Sequence, residues 1–513
     1  MESLAARSPA AIGTAATRQA RITSERVIKG FFASNALVAI VVLALITIFL
    51  FREGFGFFGQ NLKNMRLYRR AGLEFVDIIR GQAEQHAALS RKLSDIRLHE
   101  VRAHADENVL PAFDQFAAAF SDAGEELNGL VSDTNDQALA LRDSLTGTHS
   151  DSEVDADDNQ APVPAVDQAQ GMVALRSATD KFEQSAATLK AKIDNLLAAP
   201  PQFMSAKARQ SFKNWKGKTR EYLAQLPAAT QQLREWDPHK PVPAYRAVTS
   251  FLFGPDWVTA SFWQDWYGII PLLVGSIMVA VVALVLAVPL GVASAIYVSE
   301  VAHRSETRLI KPYIEFISAI PSVVLGFFGI AVVGEAVRAL SRLSIMQWVP
   351  FFPISERLNV FTAGSLLALM AVPTIFTLAE DALRNVPRGF KEASYALGAN
   401  RLQTIARVLV PASLSGIISA ILLGLGRVIG ETMVVLLCAG NRIAVPDFTD
   451  GLGAFFQPVH TMTGIVAQEM GEVVRGSIHY RALFMVGLVL FVLTLGINYL
   501  AQKIVSRYRM SIG

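Results

Sequence analysis

The chain has 513 residues, of which 52% are hydrophobic, with a mean hydropathy of +0.35 and a net charge of +3. This composition is too apolar for an ordinary soluble protein and points to a membrane protein. The small charge argues against nucleic-acid binding, and the single cysteine, Cys438, excludes an intrachain disulfide and argues against cysteine-ligated metal or thiol catalysis.

Six stretches are long and apolar enough to cross a bilayer, which takes about 20 helical residues. They are residues 30–51, 266–299, 316–334, 358–379, 411–438 and 482–502. The first is longer than the apolar region of a signal peptide, and no small-residue cleavage pattern follows it. We therefore expect a tail at 1–29 and an uncleaved anchor helix at 30–52.

Lys and Arg residues in the short loops predict the orientation. They cluster before the first span, between spans two and three, between spans four and five, and after span six. With six alternating spans all four groups lie on one side, which the positive-inside rule assigns to the cytoplasm. Both termini are then cytoplasmic. Basic residues just after the first span oppose this assignment, but long translocated segments obey the rule poorly.

Residues 53–265 are polar and helical in pattern, and we expect them to form an extracytoplasmic helical hairpin or bundle. One helix carries a heptad repeat of apolar residues (Met172, Leu175, Phe182, Ala186, Leu189, Ile193 and Leu196). A second is predicted over 73–120 with a kink at Pro111, and a third over 208–236. The acidic, proline-bearing stretch near 148–168 predicts a disordered linker. The scattered histidines indicate neither a catalytic nor a metal site.

A polar, basic segment separates spans four and five. It contains Glu392-Ala393-Ser394, then three residues, Gly398, nine residues, and Val408-x-Val410-Pro411. The first part is rich in helix formers, and Gly398 tolerates the backbone turn that would end a helix. The pattern predicts a helix–turn–helix that leads to Pro411 at the membrane entrance. Such a unit can dock in a groove of a partner protein.

This segment resembles the EAA loop of ABC importer permeases, with Ser394, Val408 and Val410 as mild departures. The resemblance implies a coupling loop at 380–411 that binds an ATP-hydrolysing subunit, with Glu392, Ala393, Gly398 and Pro411 as its marker residues. The chain has no G-x-x-x-x-G-K-[ST] motif to cradle ATP phosphates. We therefore expect a transport subunit without cofactors that is not an enzyme, with ATP hydrolysis on a separate chain.

The fifth span contains two charged residues, Arg427 and Glu431, which are four residues apart and would share one helix face. Charges within a span usually face a bundle interior or an aqueous path. Arg427 would hold an oxyanion through parallel donors, and Glu431 would neutralise it when no anion is bound. Thr432, Asn441 and Ser322 are further candidates for the path. The alternatives are an ion pair that only fixes packing, and a serine that only allows close helix packing.

Four segments resemble the C-type permease subunit of the bacterial high-affinity phosphate importer. They are "GRVIGETMVVLLCAGN", "EFISAIPSVVLGFFG", "SIHYRALFMVGLVLF" and "FWQDWYGIIPLLVGS". The resemblance implies an all-α membrane protein whose five-helix core, at 266–513, is joined by the anchor helix. It implies phosphate as substrate and three kinds of partner protein: ATP-binding subunits, a homologous second permease and a periplasmic phosphate-binding protein. The region at about 60–245 departs from the family, which usually has a short loop there.

Two alternatives remain open at this stage. One is the same machine for another oxyanion, such as sulfate or molybdate, although the "GETMVVLLCAGN" and "IPSVVLGFFG" stretches favour phosphate. The other is a membrane sensor with long outer helices, which would need a cytoplasmic output domain that the few residues after Gln502 do not provide. The expected location is the bacterial cytoplasmic membrane, with membrane lipid as a partner and no nucleic acid.

Overall fold

A computed structural model of the chain describes residues 13–102, 109–146, 168–259, 265–346, 348–349 and 351–508. The described residues divide into two compact units. The membrane unit contains the described residues up to Gly59, Thr249–Thr259, and the described residues from Trp266 onwards. The helical module contains the described residues of Gln60–Val248, together with Asp265.

The membrane unit is almost entirely helical. Its α-helices are the part of α1 (Gly13–Arg70) up to Gly59, the end of α7 (Tyr245–Phe253), α8 (Ile270–Ile296), α9 (Arg304–Ala319), α10 (Ser322–Phe328), α11 (Gly334–Ser341), α12 (Val360–Arg384), α13 (Arg388–Ala396), α14 (Arg401–Thr404), α15 (Val410–Gly430), α16 (Met433–Cys438), α17 (Met462–Glu469) and α18 (Ile478–Tyr508). Three π-helical turns, Tyr297–Val301, Gly329–Val333 and Ile405–Leu409, join consecutive helices. Two 3₁₀ segments occur at Ser344–Met346 and Phe448–Phe456.

The unit also has a two-stranded antiparallel ribbon, β1 (Trp257–Val258) and β2 (Trp266–Tyr267), just before α8. Trp257 pairs with Tyr267 and Val258 with Trp266. The rings of Trp257 and Tyr267 meet edge to face at 5.3 Å, and both are buried. The ribbon therefore places aromatic side chains in the core that surrounds the start of span two.

Six helical stretches in the described residues are long and apolar enough to cross a membrane, which confirms the predicted number. They are Lys29–Arg70, Ile270–Val301, Ser322–Ser341, Val360–Arg384, Arg401–Gly430 and Ile478–Ile504. The predicted start of span three was wrong. Helix α9 ends at Ala319 because Ile320, which precedes a proline, takes an extended backbone, and α10 begins at Ser322 with Pro321 as its N-cap. Ser318, predicted on span three, lies on α9.

Helix α12 is the centre of the membrane unit, and it packs against both α8 and α15, which also contact each other. Small residues allow this close approach. A Cβ at Gly364 would lie 2.6 Å from Val282 of α8, and one at Gly424 of α15 would lie 2.8 Å from Ile375. Lipid tails are as apolar as leucine, so such packing of small residues replaces the hydrophobic effect as the force between spans.

The helical module is a bundle built from α2 (Leu73–Arg102), α3 (Val109–Asp122), α4 (Glu125–Thr146), α5 (Gln168–Ala198) and α6 (Ala206–Arg234). Helices α2, α4, α5 and α6 form a ring in which each packs on the next, and α3 packs on α2 and α5. Phe113, Phe120 and Phe182 lie fully buried in its core. Helix α6 is tied to α2 by Trp215, whose Nε1 donates to the Leu89 carbonyl at 2.9 Å.

The bundle differs in detail from its prediction. The heptad helix is present as α5, with Leu197 rather than Leu196 completing the buried stripe. The predicted helix over 73–120 is two helices, α2 and α3, and Pro111 stands in the first turn of α3 rather than at a kink. Helix α4 was not predicted. The predicted linker lies outside the described residues apart from Gln168.

The predicted domain boundaries stay predictions. Helix α1 continues without interruption through residue 52, where the anchor was expected to end, and the two units divide between Gly59 and Gln60.

Candidate functional site

The charged segment of span five lies at a break between two helices. Helix α15 ends at Gly430, Glu431 has an extended backbone with ψ of 133°, and α16 begins at Met433. The Glu431 N–H donates to the Val428 carbonyl at 3.3 Å, and the Thr463 hydroxyl donates to the Glu431 carbonyl at 2.9 Å. Broken helices at membrane depth are tolerated only in protein or beside an aqueous cavity, where their freed polar groups find partners.

Arg427 and Glu431 have different partners. Arg427 Nη1 donates to Thr374 Oγ1 of α12 at 3.0 Å, and the Arg427 side chain is exposed in the chain taken alone. Glu431 Oε1 instead accepts from the Met433 N–H at 3.1 Å and so caps the start of α16. The predicted pairing of the two residues on one helix face was wrong, because the helix ends between them. Within the described part of the chain no carboxylate forms an ion pair with Arg427.

A short helix packed beside the break adds further polar groups. Thr461 begins α17, and its hydroxyl accepts from the Gly464 N–H at 3.1 Å. His460 is buried, and its Nε2 lies 3.1 Å from Gln468 Oε1. Burial lowers the pKa of His460, and so favours its neutral form. The Thr463 hydroxyl of α17 holds the break in span five through the Glu431 carbonyl.

The segment between spans four and five is a helix–turn–helix. Helix α13 ends at Ala396, and Gly398 makes the turn with φ of +80°, a conformation that side chains with a Cβ adopt at a cost. Asn400 then caps α14, and Gln403 reaches back to the Asn400 N–H at 2.9 Å. The Ser394 and Thr404 hydroxyls meet at 2.9 Å in a buried contact, which joins the two arms into one unit.

The two arms enclose an open groove of about 490 Å³. It is lined by Phe390, Ala393, Ser394, Leu397, Gly398, Ala399, Gln403, Arg407 and Val408. Leu397 is 88% exposed and Leu402, on the second arm, is 73% exposed. The helix–turn–helix therefore presents apolar side chains to the surface of the isolated chain.

Comparison with known proteins identifies the class. The family model described as "Binding-protein-dependent transport system inner membrane component" matches residues 287–510. A probable ABC transporter permease of Bacillus subtilis, YqgH, is 34% identical over 242 residues, which cover 46% of this chain and 72% of that protein. The chain belongs to this family of inner-membrane permease subunits. Members of the family work with ATP-binding subunits and a substrate-binding protein.

Other relatives carry a more specific name. The phosphate transport system permease protein PstC of Pasteurella multocida is 30% identical over 266 residues, which cover 50% of this chain and 80% of that protein. PstC of Haemophilus influenzae is 30% identical over 272 residues, which cover 51% of this chain and 84% of that protein. About half of the permease described here therefore corresponds to most of a PstC protein.

The structure brings together only some of the predicted site residues of this permease. Glu392, Ala393 and Gly398 lie in one helix–turn–helix, and Pro411 stands in the first turn of α15. Thr432 lies in the helix break beside Glu431, with its hydroxyl 3.5 Å from the Gly430 carbonyl.

Among the described residues, the structure does not connect the other two predicted path residues, Asn441 and Ser322, to Arg427. Asn441 has a φ of 51°, and its Nδ2 donates to the Leu436 carbonyl at 2.9 Å, so it closes the end of α16. Ser322 begins α10, which packs on α16. No hydrogen bond in the described residues joins Ser322 or Asn441 to Arg427. Their placement on the path stays a prediction.

Three residues of the permease were missed by sequence reasoning. Thr374 is the partner of Arg427, and Thr463 holds the helix break. Glu380 of α12 is fully buried and lies 3.0 Å from Lys311 Nζ and 2.6 Å from Arg384 Nη2. Only Glu380 had a detectable sign, a carboxylate at the end of a span with a basic residue four positions on.

Proposed function

We propose that this permease subunit moves inorganic phosphate across the cytoplasmic membrane in an ATP-driven importer. The observation that carries the proposal is Arg427, which lies in span five with a hydroxyl partner and no carboxylate partner within the described residues. A guanidinium with free donors is suited to bind phosphate oxygens in pairs. The similarity to PstC proteins over most of their length supports phosphate as the anion.

The Arg427–Thr374 contact leaves the guanidinium charge available to an anion. A carboxylate-paired arginine would have to lose its counterion before it bound an anion. A neutral hydroxyl holds the guanidinium in place, adds a further donor for an oxyanion, and leaves the positive charge available. Thr432 and Ser322 are proposed as further polar groups of the same path.

The helix–turn–helix at 388–411 is proposed as the loop that receives force from an ATP-binding subunit. Its groove of about 490 Å³ and the exposed Leu397 support a docking role. This assignment places the loop and both termini in the cytoplasm, and it places the helical module on the outside. A homologous second permease and a periplasmic phosphate-binding protein complete the proposed assembly, with residues 266–513 as the transport core.

The test is anion-stimulated ATP hydrolysis by the assembled complex in liposomes, with its binding protein supplied. Phosphate is expected to raise the rate, whereas sulfate and molybdate are expected to leave it at the basal level. Arg427→Gln is expected to abolish the stimulation while the complex still assembles. Stimulation by sulfate or molybdate but not by phosphate would assign the same machine to another oxyanion.

A further inference from the structure

Span two of the permease ends in an unusual turn beside the coupling loop. Helix α8 passes into the π-helix Tyr297–Val301, and Glu300 lies in this turn. The Glu300 side chain is 7% exposed, and its Oε1 lies 2.6 Å from Nζ of Lys391 on α13. The residue that follows Lys391 is Glu392, the first residue of the proposed coupling motif.

The second arm of the loop reaches the same residue by a different group. Arg401, the first residue of α14, donates from Nη2 to the main-chain carbonyl of Glu300 and lies 3.5 Å from that of Val301. The carboxylate of Glu300 therefore binds one arm, and its carbonyl binds the other. A substitution of Glu300 removes only the first of these two contacts, so they can be tested separately.

The loop and the end of span two also share an apolar core. Ala295 and Val298 of span two lie in one buried cluster with Ile405 and Leu409 of the second arm. Because the Ser394–Thr404 contact joins the two arms, the loop is suited to move as a single body. A partly buried, charge-assisted contact is stronger than a fully exposed one, and it fixes orientation in a way that apolar packing does not.

We propose that Glu300 is a positioning residue that links the coupling loop to span two, so that a displacement of the loop is carried to the transport path. The π-helical turn is a suitable place for this link, because such turns occur where a helix needs local adjustment at a functional site. The inference rests on the proposed function, in which the loop receives force from an ATP-binding subunit.

The experiment measures anion transport and ATP hydrolysis together in the reconstituted complex, with phosphate as the anion. Glu300→Gln and Lys391→Gln are expected to lower the anion transported per ATP several-fold while ATP hydrolysis continues. The exchange Glu300→Lys with Lys391→Glu restores the attraction and is expected to recover much of the ratio. Glu315→Gln removes an exposed carboxylate of α9 and is the matched control, with an expected normal ratio.

A cross-link separates this inference from the proposed function. Leu397→Cys adds an exposed thiol to a chain whose single native cysteine is buried, so it can be cross-linked selectively to an ATP-binding subunit. A cross-link together with a normal transport ratio in Glu300→Gln would overturn the link and leave the docking role intact. Absence of the cross-link would overturn both.

If Glu300→Gln fails to insert, the half-exposed Lys391 still gives the answer, because its substitution breaks the same contact from the other side. A normal ratio in Lys391→Gln would overturn the link. An exchange variant that assembles but transports no better than the single variants would do the same.

Discussion

Arg427 of span five and Thr374 of span four form a hydrogen bond of 3.0 Å between Nη1 and Oγ1. Thr374 directly follows Pro373, which removes one backbone hydrogen bond within α12. The positive charge of Arg427 is thus held by a neutral group of the central helix, at a point where that helix is locally weakened. An interaction between two spans at the proposed anion site has consequences for transport as well as for packing.

The first prediction concerns this hydroxyl. Thr374→Val keeps the shape and removes the acceptor, so Arg427 loses its position, and the half-saturation concentration for phosphate uptake is expected to rise several-fold. Thr374→Ser keeps the hydroxyl and is expected to leave the half-saturation concentration near that of the unchanged protein. Ser419→Ala is a matched control, because the Ser419 hydroxyl donates to the Ser415 carbonyl of its own helix at 2.8 Å. Unchanged phosphate uptake kinetics in Thr374→Val would remove Thr374 from the site.

The second prediction concerns Arg427 and Glu431. Because the two residues have separate partners, neutral substitutions of Arg427 and of Glu431 are expected to have additive effects, both on transport and on stability. In a double-mutant cycle with Arg427→Gln and Glu431→Gln, the effects are expected to add within about 0.5 kcal/mol, as for residues without a shared partner. A larger coupling energy would mean that the side chains meet in another state of the transport cycle.

The third prediction concerns the turn of the coupling loop. Gly398 has φ of +80°, and a Cβ there would meet no atom within 4 Å, so the cost of Gly398→Val is backbone strain alone. That strain is about 1–2 kcal/mol or more, which is enough to shift the angle between the arms. Membrane insertion is expected to stay normal while phosphate uptake falls. Glu392→Lys, which changes an exposed charge of the same loop, is expected to have the same effect on uptake.

The control for this prediction is Gly389→Ala, at a position in α13 where the backbone is helical and a Cβ also meets no atom within 4 Å. It is expected to insert and transport as the unchanged protein does. Assembly with the ATP-binding subunit and a normal transport rate in Gly398→Val would show that the turn does not transmit force.

The fourth prediction concerns pH and the helical module. His86 is buried and stacks on Phe120 with ring centroids 4.6 Å apart. Burial lowers its pKa below the ordinary value of 6.5, although backbone groups of Ser121 and Phe120 oppose the shift. The unfolded chain therefore binds this proton first as pH falls, so the module loses stability from about pH 6.5 downwards until the folded-state pKa is reached.

The measurement is the thermal unfolding of the module in the purified full-length protein at pH 7.5 and at pH 5. Limited proteolysis at each temperature detects the unfolded module. His86→Leu removes the titrating group and is expected to lessen the drop in unfolding temperature between the two conditions. An equal drop in both proteins would show that other groups cause the acid sensitivity.

The fifth prediction concerns removal of the module. Asn61 Nδ2 donates to the Ala247 carbonyl at 3.2 Å, so the two ends of residues 62–245 lie close together. A protein in which residue 61 is joined to residue 246 by a short flexible linker is expected to insert and to keep its maximal phosphate uptake. A raised half-saturation concentration would indicate that the module assists capture of the anion. A stable, inserted deletion protein without uptake at any phosphate concentration would place the module in the mechanism itself.

The sequence by itself determined the features that depend on composition and local pattern. Six apolar stretches predicted six spans because the thickness of a bilayer sets the length of a helix. The spacing from Glu392 through Gly398 to Pro411 predicted a helix–turn–helix, since a glycine permits the positive φ that separates the two arms. The heptad repeat around Phe182 likewise predicted a buried helical face in the module.

Tertiary structure decided which polar groups meet. The four-residue spacing of Arg427 and Glu431 places them together only if the helix continues, and the helix ends at Gly430 because α17 and its Thr463 hydroxyl provide an alternative partner for the backbone. Thr374 and Glu300 have no local pattern that marks them. Their partners lie 53 and 91 residues away in sequence, and only the packing of spans and loop brings each pair within hydrogen-bond distance.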